Sequence, residues 1–168
     1  MLIRELDLEA FGKFSSRKIS FKKGINVVYG DNESGKSTVH SFIRGMLYGF
    51  IKSGVKSSIY TTEHSRYLPW SNGAYIGRMT IIKDGESYII ERNFSKGSEY
   101  TKVFIEATGE EVTGRLRLGP SNKILQPGYE FLGMGSSIFS NSISIRQKGI
   151  DTDSSLADEI RERLVNAA

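Results

Sequence analysis

The stretch "INVVYGDNESGKST", residues 25–38, joins an apolar run to a glycine-rich segment that contains one lysine. Gly30, Gly35, Lys36 and Ser37 fit the pattern G-x-x-x-x-G-K-[ST]. In this pattern a strand ends, backbone N–H groups converge on one oxyanion, and a helix begins with the positive end of its dipole. The lysine reaches the β- and γ-phosphates, and the serine hydroxyl suits Mg²⁺. The stretch therefore predicts a nucleotide-phosphate site.

The residues on either side supply the structural context that the motif needs. Ile25, Val27 and Val28 predict a short strand, buried on both faces, that leads into the loop. From Ser37, apolar residues recur at three and four residues, which predicts a helix that ends near Gly49. The alternative is a glycine-rich turn between strand and helix that binds nothing.

The composition is that of a globular chain. Its 168 residues suffice for a single domain with its own core, and 38% of them are hydrophobic. A net charge of +4 permits an acidic partner such as a nucleotide or nucleic acid. The sequence has no cysteine, which excludes disulfides and thiolate zinc sites, and we expect a cytoplasmic protein. We expect no secretory leader, because residues 1–14 are charged, and no membrane span.

The region before and after the loop predicts strands around one irregular insertion. Residues 2–11 alternate apolar and charged side chains, and residues 17–21 predict a second strand after a turn. Residues 49–73 are rich in Gly, Ser and Thr and predict a loop insertion. Asp84–Gly85 separates two alternating segments and predicts a hairpin, and an antiparallel β meander follows through residues 100–113.

The last third of the sequence predicts helices. Residues 129–147 predict one or two short helices and then a strand that ends near Gln147. Residues 154–168 begin with a serine N-cap signal and carry leucines and isoleucine at helical spacing. The expected architecture is therefore a single α/β domain over residues 1–168, with a mixed sheet beside the meander.

A Walker-B carboxylate, which hydrolysis ordinarily requires, has no good match in the sequence. Asp84 follows an apolar run, but the glycine after it assigns it to a hairpin turn. Asp158 lies in a polar helix. We expect neither of them to bind a metal ion.

Three stretches resemble the SMC-like, ABC-type ATPases of DNA repair and chromosome maintenance, in particular the YhaN-like and SbcC-like group. The first is residues 6–50, where Asn32 and Glu33 fit the loop variant G-x-N-E-x-G-K-S-T of that group. The second is "YLPWSNGAYIGRMTIIKDGESYIIERNF" at residues 67–94, and the third is "IFSNSISIRQKG" at residues 138–149, which resembles a Q-loop. The resemblance implies a P-loop NTPase fold of the N-terminal lobe type over nearly the whole chain.

The resemblance also implies a role for each matching residue, with ATP and Mg²⁺ as the ligands. Ser37 and Gln147 would meet the metal ion, and Lys36 and Gln147 are the expected catalytic residues. Thr38 would lie near the α-phosphate, and Lys13 would contribute a basic group from the turn "FGKF". The complete expected ATP site is Lys13, Gly30, Asn32, Glu33, Ser34, Gly35, Lys36, Ser37 and Thr38.

In this family a long coiled coil follows the Q-loop, and a C-terminal lobe then supplies the signature motif, Walker B and a histidine switch. The resemblance therefore implies an ATP-binding half-head, which binds ATP but hydrolyses it poorly until a C-terminal lobe completes it. The helix at 154–168 would lead toward the coiled coil. The implied partners are that lobe, a second head in an ATP-dependent homodimer, double-stranded DNA and a nuclease subunit.

Two alternatives remain open at this point. A self-contained small P-loop NTPase or kinase would turn over alone, and a non-catalytic DNA-binding module would bind DNA in a salt-sensitive, ATP-independent manner. Trp70 is either a base-stacking aromatic or an anchor of its loop onto the core, and we expect the anchor. His40 and His64 are expected to be ordinary helix or surface residues.

Overall fold

A computed structural model describes residues 1–50, 61–71, 73–116 and 125–145. The strands are β1 (Leu2–Phe11), β2 (Phe14–Ser20), β3 (Ile76–Lys83), β4 (Glu86–Asn93) and β5 (Tyr100–Ile105). The helices are α1 (Lys36–Tyr48), α2 (Thr62–Arg66), α3 (Pro127–Leu132) and α4 (Ser136–Ser142), with a 3-10 turn at Thr113–Arg115. The chain is therefore an α/β protein, as the sequence predicts.

Among the described residues, no helix combines the length and the apolar character that a bilayer crossing requires.

The strands form one antiparallel sheet of order β2-β1-β3-β4-β5. Leu6, Leu8 and Ala10 of β1 are buried in alternation, as the sequence pattern predicts for a strand with one face on the core. The predicted hairpin between β3 and β4 is confirmed, with Lys83 paired to Glu86. Asp84 and Gly85 both have positive φ, at 52° and 85°, as this tight turn requires.

The core lies between α1 and the sheet, and aromatic rings dominate it. Phe11 is fully buried and contacts Phe42 edge-on at a ring-centroid distance of 5.0 Å. The ring of Phe42 also lies over Gly77 of β3, where an added Cβ would be 2.4 Å from it. Glycine at position 77 therefore lets α1 approach the sheet closely, and this contact fixes the helix that follows the loop.

Two polar contacts attach the outer elements to this core. Arg92 of β4 is buried, and its guanidinium donates a hydrogen bond to the carbonyl oxygen of Leu125 at 2.6 Å. Burial lowers the pKa of Arg92 to about 9, and the group still carries its charge at neutral pH. The hydroxyl of Tyr48 donates to the carbonyl oxygen of Met134 at 3.0 Å, which joins α1 to the segment between α3 and α4.

The predicted strand at residues 25–29 is wrong. The structure has no strand there, and Ile25 and Val27 are 96% and 84% exposed. The predicted mixed sheet is wrong for the same reason, since all strand pairs among the described residues are antiparallel. These side chains favour a strand, but a strand forms only when a neighbouring strand accepts its backbone hydrogen bonds.

Other differences concern residues beyond the fourth strand. Residues 110–113 form only an isolated bridge, Phe104 to Glu111, before the 3-10 turn. The two predicted short helices are present as α3 and α4. The predicted helix at 154–168 lies outside the described residues, and so does part of the predicted insertion at 49–73. The described part of that insertion contains α2.

Substitution of Gly77 by alanine tests the close approach of α1 to the sheet. We expect Gly77→Ala to lower the free energy of unfolding by about 1–3 kcal/mol, because the new Cβ overpacks the ring of Phe42. Urea unfolding measures the change. Gly114→Ala is the matched control, since nothing lies within 4 Å of its added Cβ. Equal stability of the two variants would contradict the packing described here.

Candidate functional site

The loop between residue 30 and α1 makes a tight turn into the start of the helix. Ser34 donates its backbone N–H to the carbonyl oxygen of Asp31 at 3.2 Å, which turns the chain. Gly35 is the N-cap of α1 in the left-handed region, with φ of 104°. The first turn of α1 contains no acidic residue, so nothing there offsets the positive end of the helix dipole. The loop therefore presents a positive, solvent-facing helix start.

Lys36 lies over the mouth of this loop. Its ammonium group donates to the carbonyl oxygens of Gly30 at 2.5 Å and Asp31 at 2.7 Å, and lies 3.5 Å from the hydroxyl oxygen of Ser34. The side chain is exposed, so the charge remains accessible to an anion. A triphosphate can take the place of these carbonyl oxygens, since charged acceptors make stronger hydrogen bonds with an ammonium group.

The turn between β1 and β2 braces the loop from the side. Lys13 in this turn donates its ammonium group to the carbonyl oxygen of Glu33 at 2.7 Å. Phe14 packs against Gly35, where an added Cβ would lie 2.5 Å from the ring. Glu33 itself has a positive φ of 62°, which is uncommon for a residue with a side chain. Two lysines, at positions 13 and 36, thus converge on one loop.

A third segment, residues 67–70, closes the other side of the same turn. Gly12 donates its N–H to the carbonyl oxygen of Tyr67, and Trp70 donates its N–H to the carbonyl oxygen of Gly12, both at 2.9 Å. The added Cβ at Gly12 would lie 3.1 Å from Cγ2 of Thr38. The backbone of this segment is therefore fixed beside the start of α1.

The prediction that Trp70 anchors its loop on the core is wrong. The indole side chain is 78% exposed, whereas its backbone makes the contact with the β1–β2 turn. The residue that does anchor this segment is Tyr67, whose ring stacks on that of Phe11 at 5.6 Å. The sequence offered no signal that would separate the two aromatic side chains, because both lie in the same irregular stretch.

The two histidines have structural partners. His64 lies in α2, which agrees with the expectation of a helix or surface residue; it is buried, and its Nε2 lies 2.7 Å from the carbonyl oxygen of Phe94. Nε2 of His40 on α1 lies 2.7 Å from the hydroxyl oxygen of Ser144. The described part of the chain contains no group of three His, Asp or Glu side chains that could hold a metal ion.

Of the predicted site residues, the structure brings together Lys13 and the loop from Gly30 to Thr38. Gln147 lies outside the described residues. Residues Gly12, Phe14 and Tyr67, which brace the loop, were not predicted as site residues. Their supporting role depends on contacts between segments that are distant in the sequence. The short turn "FGKF" was the only sequence feature that indicated this role.

Comparisons with known proteins show similarity at the level of the family. A family model described as an AAA domain matches residues 1–66. YhaN of Bacillus subtilis is 39% identical over 74 residues, which cover 39% of this chain and 8% of YhaN. The family-model match includes residues 30–38.

Longer matches occur with DNA double-strand break repair Rad50 ATPases. The Sulfolobus acidocaldarius protein is 27% identical over 168 residues, and the Pyrococcus abyssi protein is 28% identical over 165 residues. Each match covers 98% of this chain but only 18% of the Rad50 protein. The resemblance to the N-terminal region of SMC-like, ABC-type ATPases is thus confirmed, at low identity.

The contact between Phe14 and Gly35 can be tested with two glycines that share a backbone conformation. Gly35→Ala and Gly24→Ala both place a side chain at a positive φ, which costs about 1–2 kcal/mol. We expect Gly35→Ala to cost about 1–3 kcal/mol more, because its Cβ also overlaps the ring of Phe14. The free energy of unfolding in urea measures the difference.

A double variant distinguishes the contact from a general effect of the loop. Phe14→Leu removes the ring atoms that the new Cβ would meet, so it should recover part of the loss in Gly35→Ala but none of the loss in Gly24→Ala. Equal losses in the two alanine variants would show that the ring does not limit this position.

Proposed function

We propose that this chain binds ATP with Mg²⁺ at residues 30–38 and is the ATP-binding half of an SMC-like, ABC-type ATPase head. The observation that carries the proposal is the convergence of Lys13 and Lys36 on a loop that ends in a left-handed Gly35 at the start of α1. This arrangement supplies backbone donors, a helix dipole and two ammonium groups to one anion.

The residues of the loop fit a nucleotide triphosphate and its metal ion. Backbone N–H groups from Asn32 to Lys36 would bind phosphate oxygens, and Lys36 would exchange its contacts with loop carbonyls for the β- and γ-phosphates. The exposed hydroxyl of Ser37 is the group in this loop suited to Mg²⁺. When bound, the metal ion would neutralise charge on the phosphates. Thr38 faces the α-phosphate in this assignment.

The exposed apolar segment before the loop supports the proposal that this chain is one half of an ATPase head. Ile25, Val27 and Tyr29 are 96%, 84% and 92% exposed, and no described strand pairs with them. Side chains of this kind favour strands, and their exposure to water is unfavourable. We propose that strands of a C-terminal lobe pair with residues 25–29.

Hydrolysis needs further groups beyond this loop, and the C-terminal lobe would supply some of them. Gln147 would add a metal and water contact from this chain, while Walker B and the signature motif would come from elsewhere in the protein or from a second head. Phosphoryl transfer depends on positioning and on stabilisation of charge. The chain alone should therefore bind ATP and hydrolyse it slowly.

The relatives suggest the process in which such a head would act. The named Rad50 proteins are DNA double-strand break repair ATPases, and the chain spans less than a fifth of their length. We propose that the complete protein is a cytoplasmic ATPase that acts in DNA repair. Its heads would dimerise with ATP, carry a coiled coil after residue 154, and engage double-stranded DNA with a nuclease subunit.

Removal of the loop lysine tests the ATP site directly. We expect Lys36→Ala to weaken binding of ATP with Mg²⁺ by about tenfold to a hundredfold, because charge-assisted hydrogen bonds to the phosphates are lost. Isothermal titration calorimetry measures the affinity. Lys23→Ala is the matched control, since it removes one exposed lysine outside the loop and should not change the affinity. Unchanged ATP affinity in Lys36→Ala would overturn the site.

Addition of the C-terminal lobe tests the half-head. We expect amide hydrogens of residues 25–29 to exchange at least about tenfold more slowly when that lobe and ATP are present, because strand pairing protects them. The hairpin turn at Asp84–Gly85 is the internal control and should not change. Phosphate release should be much faster in the mixture than with this chain alone.

Two results would contradict this reading in different ways. Exchange at residues 25–29 that is unaffected by the C-terminal lobe would exclude the proposed strand pairing. ATP turnover by this chain alone at the rate of the mixture would favour a self-contained P-loop NTPase.

A further inference from the structure

We infer that His40 is a positioning residue of the proposed ATP site, and that its hydrogen bond to Ser144 couples phosphate binding at the start of α1 to the end of α4. The inference rests on the proposed ATP site and adds to it a side chain that lies outside the loop. The loop motif assigns no role to either of these two residues.

The contact joins two segments that are far apart in the sequence. Nε2 of His40 lies 2.7 Å from the hydroxyl oxygen of Ser144, which is 104 residues away along the chain. Ser144 is buried, and its backbone N–H donates to the carbonyl oxygen of Phe139 in α4 at 2.8 Å. The serine is therefore fixed to the end of α4 through its backbone and to α1 through its side chain.

The hydrogen bond also decides which side chains of this segment face solvent. Ser144 is 8% exposed, whereas its neighbours Ile143 and Ile145 are 53% and 76% exposed. Burial of a hydroxyl is unfavourable without a hydrogen bond, and exposure of apolar side chains is unfavourable as well. A rotation of this segment that buried an isoleucine would break the contact with His40, so the contact opposes that rotation.

His40 lies on α1 where a ligand of the loop can affect it. It follows Lys36 by four residues, which is about one turn, so the two residues lie on the same side of the helix. No side chain caps the start of α1 at Gly35. The first N–H groups of a helix have no partner within it, so a bound phosphate would supply the cap and order the turn that leads to His40.

This arrangement predicts coupling in both directions. Phosphate binding orders the start of α1, so the contact between His40 and Ser144 then costs less conformational entropy. By linkage, a contact that ATP strengthens must strengthen ATP binding by the same factor. A contact with a structural role alone would stabilise the fold equally with and without ATP.

Variants at both ends of the contact test the effect on ATP affinity. By calorimetry with Mg²⁺ present, we expect His40→Leu and Ser144→Ala each to bind ATP about threefold to tenfold more weakly, because each removes the hydrogen bond. The double variant should be no weaker than either single variant, since both remove the same interaction. His40→Gln should keep most of the affinity, because its amide can replace Nε2.

The amide of Ser144 reports on the other end of the contact. We expect ATP with Mg²⁺ to slow its hydrogen exchange by about threefold to tenfold in the unmodified chain and in His40→Gln, but not in His40→Leu. Urea unfolding without ATP measures the structural contribution of the contact separately.

Tyr48→Phe is the matched control. The hydroxyl of Tyr48, the last residue of α1, donates to the carbonyl oxygen of Met134 at 3.0 Å. Its removal takes away a hydrogen bond between α1 and the segment before α4, about three turns from the loop. We expect this variant to be less stable in urea but to bind ATP as the unmodified chain does.

The possible results distinguish this inference from the proposal on which it rests. Unchanged ATP affinity in His40→Leu and Ser144→Ala would overturn the inference and leave the ATP site standing. An equal loss of affinity in Tyr48→Phe would also overturn it, because the loss would then reflect the packing of α1 in general. If the unmodified chain does not bind ATP, the proposed site fails and the coupling fails with it.

Discussion

The phosphate loop depends on its close contact with the turn between β1 and β2. Gly35 can begin α1 with a φ of 104° and still lie against Phe14 because it has no side chain. Lys13 then reaches the carbonyl oxygen of Glu33 and holds the strained part of the loop. A glycine-rich segment without such a support would sample many conformations, and the ordering of its N–H groups on an anion would cost entropy. The turn provides that ordering in advance.

This support is coupled to the core through a single ring. Phe11, the last residue of β1, contacts Phe42 of α1 and stacks on Tyr67. The ion pair between Arg44 of α1 and Glu63 of α2 joins the same two regions on the outside. The position of β1 thus sets the helix, the turn and the segment at residues 67–70 together. The helix, the turn and the segment are therefore all attached to the same strand.

The exposed segment at residues 25–29 is where the proposed C-terminal lobe would join this chain. The antiparallel sheet holds one side of the phosphate loop, and the strand that the sequence predicts on its other side has no partner among the described residues. A head whose two halves meet at the nucleotide would make assembly and ATP binding depend on each other, because each orders groups that the other needs.

The sequence by itself determined the local elements of this protein. Motif spacing located the loop, apolar periodicity located α1, and Asp84–Gly85 located the β3–β4 hairpin. Each depends on neighbours within a few residues, so a local pattern is sufficient. Only the tertiary structure decided that residues 25–29 remain unpaired, that His64 is buried while Trp70 is exposed, and that the β1–β2 turn braces the loop. Those outcomes depend on contacts between segments far apart in the chain, and hydrogen-bond partners and burial at such contacts are properties of the packed fold.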